Sequence, residues 1–389
     1  MQHICAAPVG DGQLLVPEGW HDYLGACPDT CYTDCNYNLN GKSTSFTNAS
    51  YEHGSNYGTS VIGNQSVAFA KRAMKANWPF FAMVASHAPH GPATPAPWYA
   101  HLYSGDDVIA PRTPAFNVSS PDKHWVVATQ PTLTDEYASK KIDAFYKNRL
   151  RSLRSVDDIV ADMYAAVEEA GQLNQTYFIF TSDHGLHMGQ FNLGPCKRQP
   201  YETDLRIPFF ITGPNVKSGA LLPAVAGIVD IAPTILELAG AGSAGGAGSA
   251  GGAGEGGALP LDGHSLVPLI AEDGEDGEDG TFRDAYLIEY FATSGVVTKV
   301  KKGDHLKDNS NNTFIGLRVQ NETNNFAFFE FTDAVDDWDF KTPDFCEAYD
   351  LDVDPHQLHN ICAKLSAPAR AAWHQQLRDE YACSEGSCR

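Results

Sequence analysis

The apolar residues of this chain fall in short runs that stop at polar, glycine-rich turns, and two of those runs end in histidines. Tyr177–Thr181 is an aromatic run of strand length. It breaks into Ser182-Asp183-His184-Gly185, which places an acid and an imidazole after the strand's C-terminal end, where open α/β sheets bind ligands. A second strand is expected over Ile207–Thr212. Trp78–Ala85 predicts a buried strand running into Ser86-His87-Ala88-Pro89-His90-Gly91-Pro92, with Pro89 and Pro92 stiffening the loop around His90. Thr59–Met74 spaces Val61, Ile62, Val67, Ala68 and Phe69 as a helix does and ends in cations suited to a helix C-terminus. Ala144–Gly171 is the clearest helix. Val156, Ile159, Val160, Met163, Tyr164 and Val167 form its apolar face, and Gly171 supplies the stop. Residues 93–140 read as a long surface loop, and Val225–Ala239 as a short strand followed by a helix with Pro233 in its first turn. This succession of strands and helices predicts an α/β fold.

From Phe282 the period changes. Ala285–Ala292, Thr313–Val319, Asn325–Thr332 and Glu347–Leu351 predict a small antiparallel sheet, and Leu365–Ala382 a final amphipathic helix. Two low-complexity tracts interrupt the pattern: a Gly/Ala-rich insertion at 240–258, expected to be disordered, and an acidic one at 272–281. The expected division is an α/β domain over 1–271, an acidic linker over 272–281, and a C-terminal β subdomain over 282–389.

A charge of −21 over 389 residues, without a basic stripe, argues against a nucleic-acid partner. No run of about 18 apolar residues predicts a membrane span. Nine cysteines and six Asn-x-Ser/Thr sequons, at Asn48, Asn64, Asn117, Asn174, Asn311 and Asn321, point to a disulfide-bonded glycoprotein, extracellular or lysosomal. The group Cys27, Cys31 and Cys35 fits disulfides better than zinc, for which no fourth ligand is spaced nearby. The odd cysteine total leaves at least one thiol, and Met1–Gly10 lacks the basic and apolar regions of a signal peptide. Between the 177 and 207 strands lie Asp183, His184, His187, Lys197 and Arg198. They are read either as a metal and anion site or as a polar surface loop.

The stretch Thr181–Pro214 resembles the C-terminal part of the sulfatase catalytic domain, nearest to the N-acetylglucosamine-6-sulfatases and the extracellular glucosamine endosulfatases. Residues 16–20 (VPEGW), the HG and NY pairs at 53–57, and residues 79–92, 123–125, 149–160, 229–240 and 349–360 agree with it in order and spacing. The resemblance implies an alkaline-phosphatase-like α/β fold with a small C-terminal β subdomain. It implies hydrolysis of sulfate esters, on a sulfated carbohydrate or an aryl sulfate, by a cysteine-derived formylglycine beside one calcium ion. It makes Asp183 and His184 calcium ligands, with a sulfate hydrogen bond as the other reading of His184 because calcium prefers oxygen. Lys197 would bind the sulfate, and His90 would contact it or help expel the alcohol. His87, His187 and Arg198 would support substrate binding.

The family's nucleophile motif, Cys (or Ser)-x-Pro-x-Arg, and its Asp-Asp calcium pair belong before these segments. Cys5 continues Ala-Ala-Pro-Val, Cys27 is followed directly by Pro28, and Asp106-Asp107 comes after His90. Ser366-Ala-Pro-Ala-Arg370 fits the Ser form but falls in the predicted final helix. The expectation is a sulfatase lacking its first βα units and hence turnover, with the remaining calcium ligands outside this sequence. Two alternatives stay open. One is a non-catalytic relative that binds sulfated glycans. The other is an arylsulfatase or phosphodiesterase of the same superfamily, for which Asp183 and His187 have Asp-x3-His spacing.

Overall fold

The computed structural model describes residues 14–27, 31–46, 56–222, 224–241, 261–271, 282–292, 312–321, 323–332 and 340–383. The sequons at Asn48 and Asn311, the His-Gly pair at 53–54, Cys5 and the tracts at 242–258 and 272–281 lie outside them. The chain divides into two compact units, residues 1–110 with 135–177, and residues 111–134 with 178–389.

In the first unit, β1 (Leu24–Cys27), β2 (Asn36–Leu39) and β3 (Lys42–Ser45) form an antiparallel sheet. The β2–β3 turn is Asn40-Gly41 with φ of +51° and +85°, the left-handed pair that a tight hairpin requires. A Cys31–Cys35 disulfide closes the loop before β2, and Cys27 is disulfide-bonded as well. The expected helices are α1 (Gly58–Lys75) and α2 (Ala144–Glu169). Their packing selects a stripe on α2 that overlaps the apolar one only in part. Ser152, Ser155, Ile159, Ala166 and Val167 are buried, whereas Val160 and Tyr164 are 48% and 45% exposed. The cause is close approach: a Cβ on Gly63 would lie 2.6 Å from Ile159 Cγ1, so small residues line the contact. The helix also starts earlier than expected, with helical backbone from Asp135 that widens over Ala138–Asp143 before α2 begins. The expected strand at Trp78–Ala85 is not one. No described strand pairs with it, and Trp78, Phe81 and Met83 are 70%, 53% and 59% exposed.

In the second unit, β4 (Phe178–Thr181) and β5 (Phe209–Thr212) pair antiparallel, Thr181 opposite Phe209. Pairing starts after Pro208, which has no N–H to give a ladder. The expected strand near Val225 is a tight turn instead. Asp230 accepts from its own turn's Gly227 N–H at 2.8 Å, and α3 (Ile231–Leu238) follows. Then β6 (Ala285–Tyr290), β7 (Thr313–Gln320), β8 (Asn325–Thr332) and β9 (Phe345–Asp350) form an antiparallel sheet in sequence order. It is followed by α4 (Ala367–Tyr381). Ser366 caps α4 by accepting the Ala369 N–H at 3.3 Å, which accounts for the Ser-x-Pro-x-Arg letters as a helix start.

The sheet is buried on both faces: β7 and β8 are each buried at six of their eight positions, with apolar residues pointing to either side. Ile315, Leu317, Val319 and Phe328 pack under α4 with Leu377 and Trp373. Phe314, Phe329, Phe331 and Tyr349 pack against Phe191, Leu193 and Tyr201. That second face runs across the expected division at 271. Residues 191–201 are core partners of the sheet, and the buried Asp230 carboxylate takes two Arg283 hydrogen bonds of 2.6 and 2.8 Å across the proposed linker. A Cys346–Cys362 disulfide fastens β9 to the turn before α4, Cys383 is disulfide-bonded, and Cys196 remains a thiol. Among the described residues no helix is long and apolar enough to cross a membrane.

Candidate functional site

The second unit builds its site from two loops laid side by side. After β4, the Ser182 hydroxyl donates to His184 O at 2.8 Å and the His184 N–H to Asp183 Oδ1 at 3.1 Å. These local bonds turn the chain sharply. Gly185 then runs so close to the second loop that a Cβ would lie 2.1 Å from Thr203 O. The gap is closed by Gly185 N–H to Asp204 O and Leu186 N–H to Thr203 O, both 2.7 Å, and by a two-way backbone bridge between His187 and Cys196. Lys197 is the residue after that bridge.

His184 Nδ1 lies 2.7 Å from Gly185 O. A carbonyl only accepts, so Nδ1 carries the proton and Nε2 the lone pair. The Lys197 ammonium donates to that Nε2. Asp183 Oδ2 stands 3.2 Å from the same nitrogen, on a side chain 81% exposed. Asp183, His184 and Lys197 are therefore together. His187 and Arg198 are placed differently. His187 is fully buried, with Nδ1 2.9 Å from both oxygens of Asp204. Arg198 has φ +127°, a costly conformation for a residue with a Cβ, and its guanidinium donates to Cys196 Sγ at 3.3 Å.

The first unit holds His87 and His90 in their expected loop. Its carbonyls are taken up from below: Tyr32 Oη donates to His90 O, Tyr57 Oη to Thr94 O at 2.8 Å, and Arg149 Nη1 to Pro89 O at 3.0 Å. Burial raises the Tyr32 hydroxyl, the neighbouring Tyr57 adding to it; burial lifts Tyr57 to about 12 and lowers Arg149. The His87 ring stands edge-on to Tyr32 at 4.6 Å. His90 is exposed, and its Nδ1 lies 2.8 Å from Gly91 O, so it has the same Nδ1–H form as His184. The two His-Gly pairs thus hold Nδ1 by the same local bond, which leaves the lone pair on Nε2.

Three supporting groups were given no role by the sequence: Asp204, the Tyr32–Tyr57–Arg149 support, and a buried cluster around Lys123. Lys123 Nζ donates to Tyr349 Oη at 2.6 Å and Gln357 O at 2.7 Å, with the rings of Phe191, Tyr201 and Tyr349 4.1 to 4.4 Å away. The partners of Tyr32, Tyr57, Arg149 and Lys123 are remote in sequence, and those of Asp204 are close but follow no regular spacing, so spacing gives no signal. Of the described sequons, Asn174 is exposed and Asn64 lies within α1. Asn321 shapes the β7–β8 turn, its Oδ1 accepting the Asn324 N–H at 2.9 Å. Asn117 spends its amide on both backbone groups of Leu133, at 3.2 and 2.7 Å.

Residues 18–241 match the sulfatase family model. This chain belongs to the sulfatase family. It is 31% identical to an N-acetylglucosamine-6-sulfatase of Capra hircus, over 98% of this chain and 65% of that protein. It is 30% identical to the Homo sapiens N-acetylglucosamine-6-sulfatase, over 98% and 66%. A putative extracellular sulfatase Sulf-1 homolog of Caenorhabditis elegans is 33% identical over 75% of this chain and 39% of its own length. The chain thus spans about two thirds or less of these relatives' length. Among solved structures, a protein in complex with its substrate D-glucosamine-2-N,6-O-disulfate superposes with a TM-score of 0.70 at 20% identity, covering 94% of this chain and 76% of that one. The phosphonate monoester hydrolase of Silicibacter pomeroyi gives 0.63 at 18%, covering 99% and 66%. The fold is the alkaline-phosphatase-like α/β fold.

Sulfatases generally use calcium. Calcium takes six to eight oxygen ligands. Asp183 offers one carboxylate, His184 Nε2 is already an acceptor for Lys197, and among the described residues no three His, Cys, Asp or Glu side chains gather as donors. That donor set does not make a calcium centre, and no step is derived through one. The same holds for formylglycine, since Ser366 is a helix cap and no Cys-x-Pro-x-Arg occurs in the sequence.

Proposed function

We propose that this chain is the sulfate-recognising part of a sulfuric ester hydrolase for sulfated glycans of the N-acetylglucosamine-6-sulfatase kind. The observation that carries the reading is the Lys197 ammonium, oriented by an imidazole acceptor on a loop fixed from both sides. An ammonium so held keeps its other N–H bonds for a sulfate oxygen, where cleavage of the ester builds charge. His90, held by the first unit, is proposed to offer Nε2 to a sulfate or a leaving alcohol. Asp183 is proposed as a ligand for a cation completed by groups beyond those described, and Arg198 and His187 as supports. The disulfides and the exposed sequon at Asn174 favour an oxidising, extracellular or lysosomal compartment.

The test is calorimetric titration of D-glucosamine 6-sulfate into the 389-residue chain and into Lys197→Ala. Saturable binding that the variant and unsulfated glucosamine both lack supports the reading; equal binding of the unsulfated sugar sinks it. The same protein is expected to release no sulfate from 4-methylumbelliferyl sulfate, since its sequence holds no nucleophile motif in a usable place. Zinc-dependent cleavage of bis-p-nitrophenyl phosphate would move the reading to a phosphodiesterase.

A further inference from the structure

We propose that Asp204, to which the resemblance assigned no role, is the positioning residue that presents Lys197, by holding the strained backbone beside it. The inference rests on the reading of Lys197 as the sulfate-binding group, and its test needs no sulfate. Asp204 is 5% exposed and sits in the single helical turn Glu202–Leu205. Its carboxylate accepts four hydrogen bonds. They come from His187 Nδ1 at 2.9 Å, the Arg198 N–H at 3.0 Å, the Gln199 N–H at 2.9 Å and the Thr203 hydroxyl at 3.1 Å. Its backbone carbonyl takes the Gly185 N–H. One residue therefore fastens the loop that carries Asp183 and His184 to the loop that carries Lys197.

The arrangement has a cost that the bonds offset. Arg198, next to Lys197, is held at φ +127°. Such a conformation persists only where its surroundings over-determine it. Asp204 grips the peptide N–H groups on both sides of Arg198, and Asn312 Nδ2 donates to the Arg198 carbonyl at 2.7 Å. Held this way, the backbone at Arg198 leaves Lys197 in contact with His184 Nε2. Without the carboxylate, the strained residue relaxes and Lys197 loses that contact.

Asp204→Asn keeps the shape but turns an N–H₂ group toward groups that are themselves donors. The experiment is acylation of the whole chain by a water-soluble N-hydroxysuccinimide acetate, with rates at each lysine read by mass spectrometry. In D204N the rate at Lys197 is expected to rise several-fold, while the exposed Lys71 and Lys140 keep theirs. A Lys197 rate equal to wild type in folded D204N, or a uniform change at all lysines, overturns the proposal. Arg198→Gly supplies the second arm, because glycine adopts φ near +127° without strain. D204N/R198G is expected to unfold at a higher temperature than D204N alone, and to fold even where D204N does not. A double variant no more stable than D204N overturns the strain argument. Glucosamine 6-sulfate binding by the wild type, measured alongside, fails independently if Lys197 is not a sulfate group.

Discussion

At the scale of single residues, the candidate groups and the groups that hold them differ in how they show in the sequence. Asp183, His184 and Lys197 in one unit, and His87 and His90 in the other, were legible as candidates because each sits in a short, chemically unusual string whose spacing is itself informative. The holding groups were not, because their meaning arises only when distant segments meet. Asp204 becomes a fourfold acceptor only after the 185–187 and 196–199 segments lie against it. Two predictions belong here. Lys197→Ala removes a charge-assisted bond worth about 1.5–3 kcal/mol, so affinity for D-glucosamine 6-sulfate falls about 10-fold or more, read by titration calorimetry. Gly185→Ala forces a methyl against the Thr203 carbonyl, 2.1 Å from where its Cβ must stand. It is expected to destabilise the chain by about 1–3 kcal/mol in urea unfolding and to weaken sugar binding with it. A G185A chain with the wild-type midpoint and affinity would show that the two loops separate without consequence.

At the scale of elements, the periodic segments were read well and the isolated apolar runs were not. α1, α2, α4 and the four strands β6–β9 stand within a few residues of their expected places, because repeated spacing over two or more turns or a full strand leaves few alternatives. Trp78–Ala85 failed because eight apolar residues state a preference for extended backbone and say nothing about a partner. The face of α2 was read only in part, Ile159 and Val167 buried as expected and Val160 and Tyr164 not, for a different reason. Its contact is set by the absence of a side chain at Gly63, which a count of apolar positions does not register. Ser366 shows how one string supports two readings until its hydrogen bonds are known. As a cap, Ser366→Ala is expected to cost about 1 kcal/mol in urea unfolding. It should leave glucosamine 6-sulfate affinity unchanged. Loss of sugar binding in a folded S366A chain would return the Ser-x-Pro-x-Arg string to the active chemistry.

At the scale of the molecule, the second unit is organised around one buried cation. Lys123 is 2% exposed and joins three stretches of chain: its own, residues 191–201 through the aromatic faces, and β9 with the turn after it through Tyr349 and Gln357. Glu347, also buried, accepts from the His124 N–H at 2.7 Å and from the hydroxyls of Tyr201 and Tyr349, with Lys123 Nζ 4.0 Å away. Burial pushes Lys123 down to about 8, the Glu347 carboxylate opposing only part of that effect. Burial, and Glu347 after it, push both tyrosines well above 10. The sign of the pH effect follows from proton counts. Below pH 8 the lysine is charged in the folded and unfolded chain alike, and its ionisation adds no slope. Between pH 8 and 10.5 the unfolded chain keeps the proton that the folded chain has shed, so the Lys123 contribution makes stability rise with pH. Lys123→Met lacks that contribution while leaving Glu347 its three other donors. A tenfold difference in proton affinity between the two states is worth about 1.4 kcal/mol. The wild-type stability minus that of K123M is therefore expected to grow by roughly 1–2 kcal/mol between pH 8 and 9.5. Stopping at pH 9.5 keeps the tyrosines out of the comparison. Urea midpoints at half-unit steps measure it. A difference flat or falling across that window would mean that Lys123 keeps its proton, and that the ion pair with Glu347 outweighs the burial of the charge.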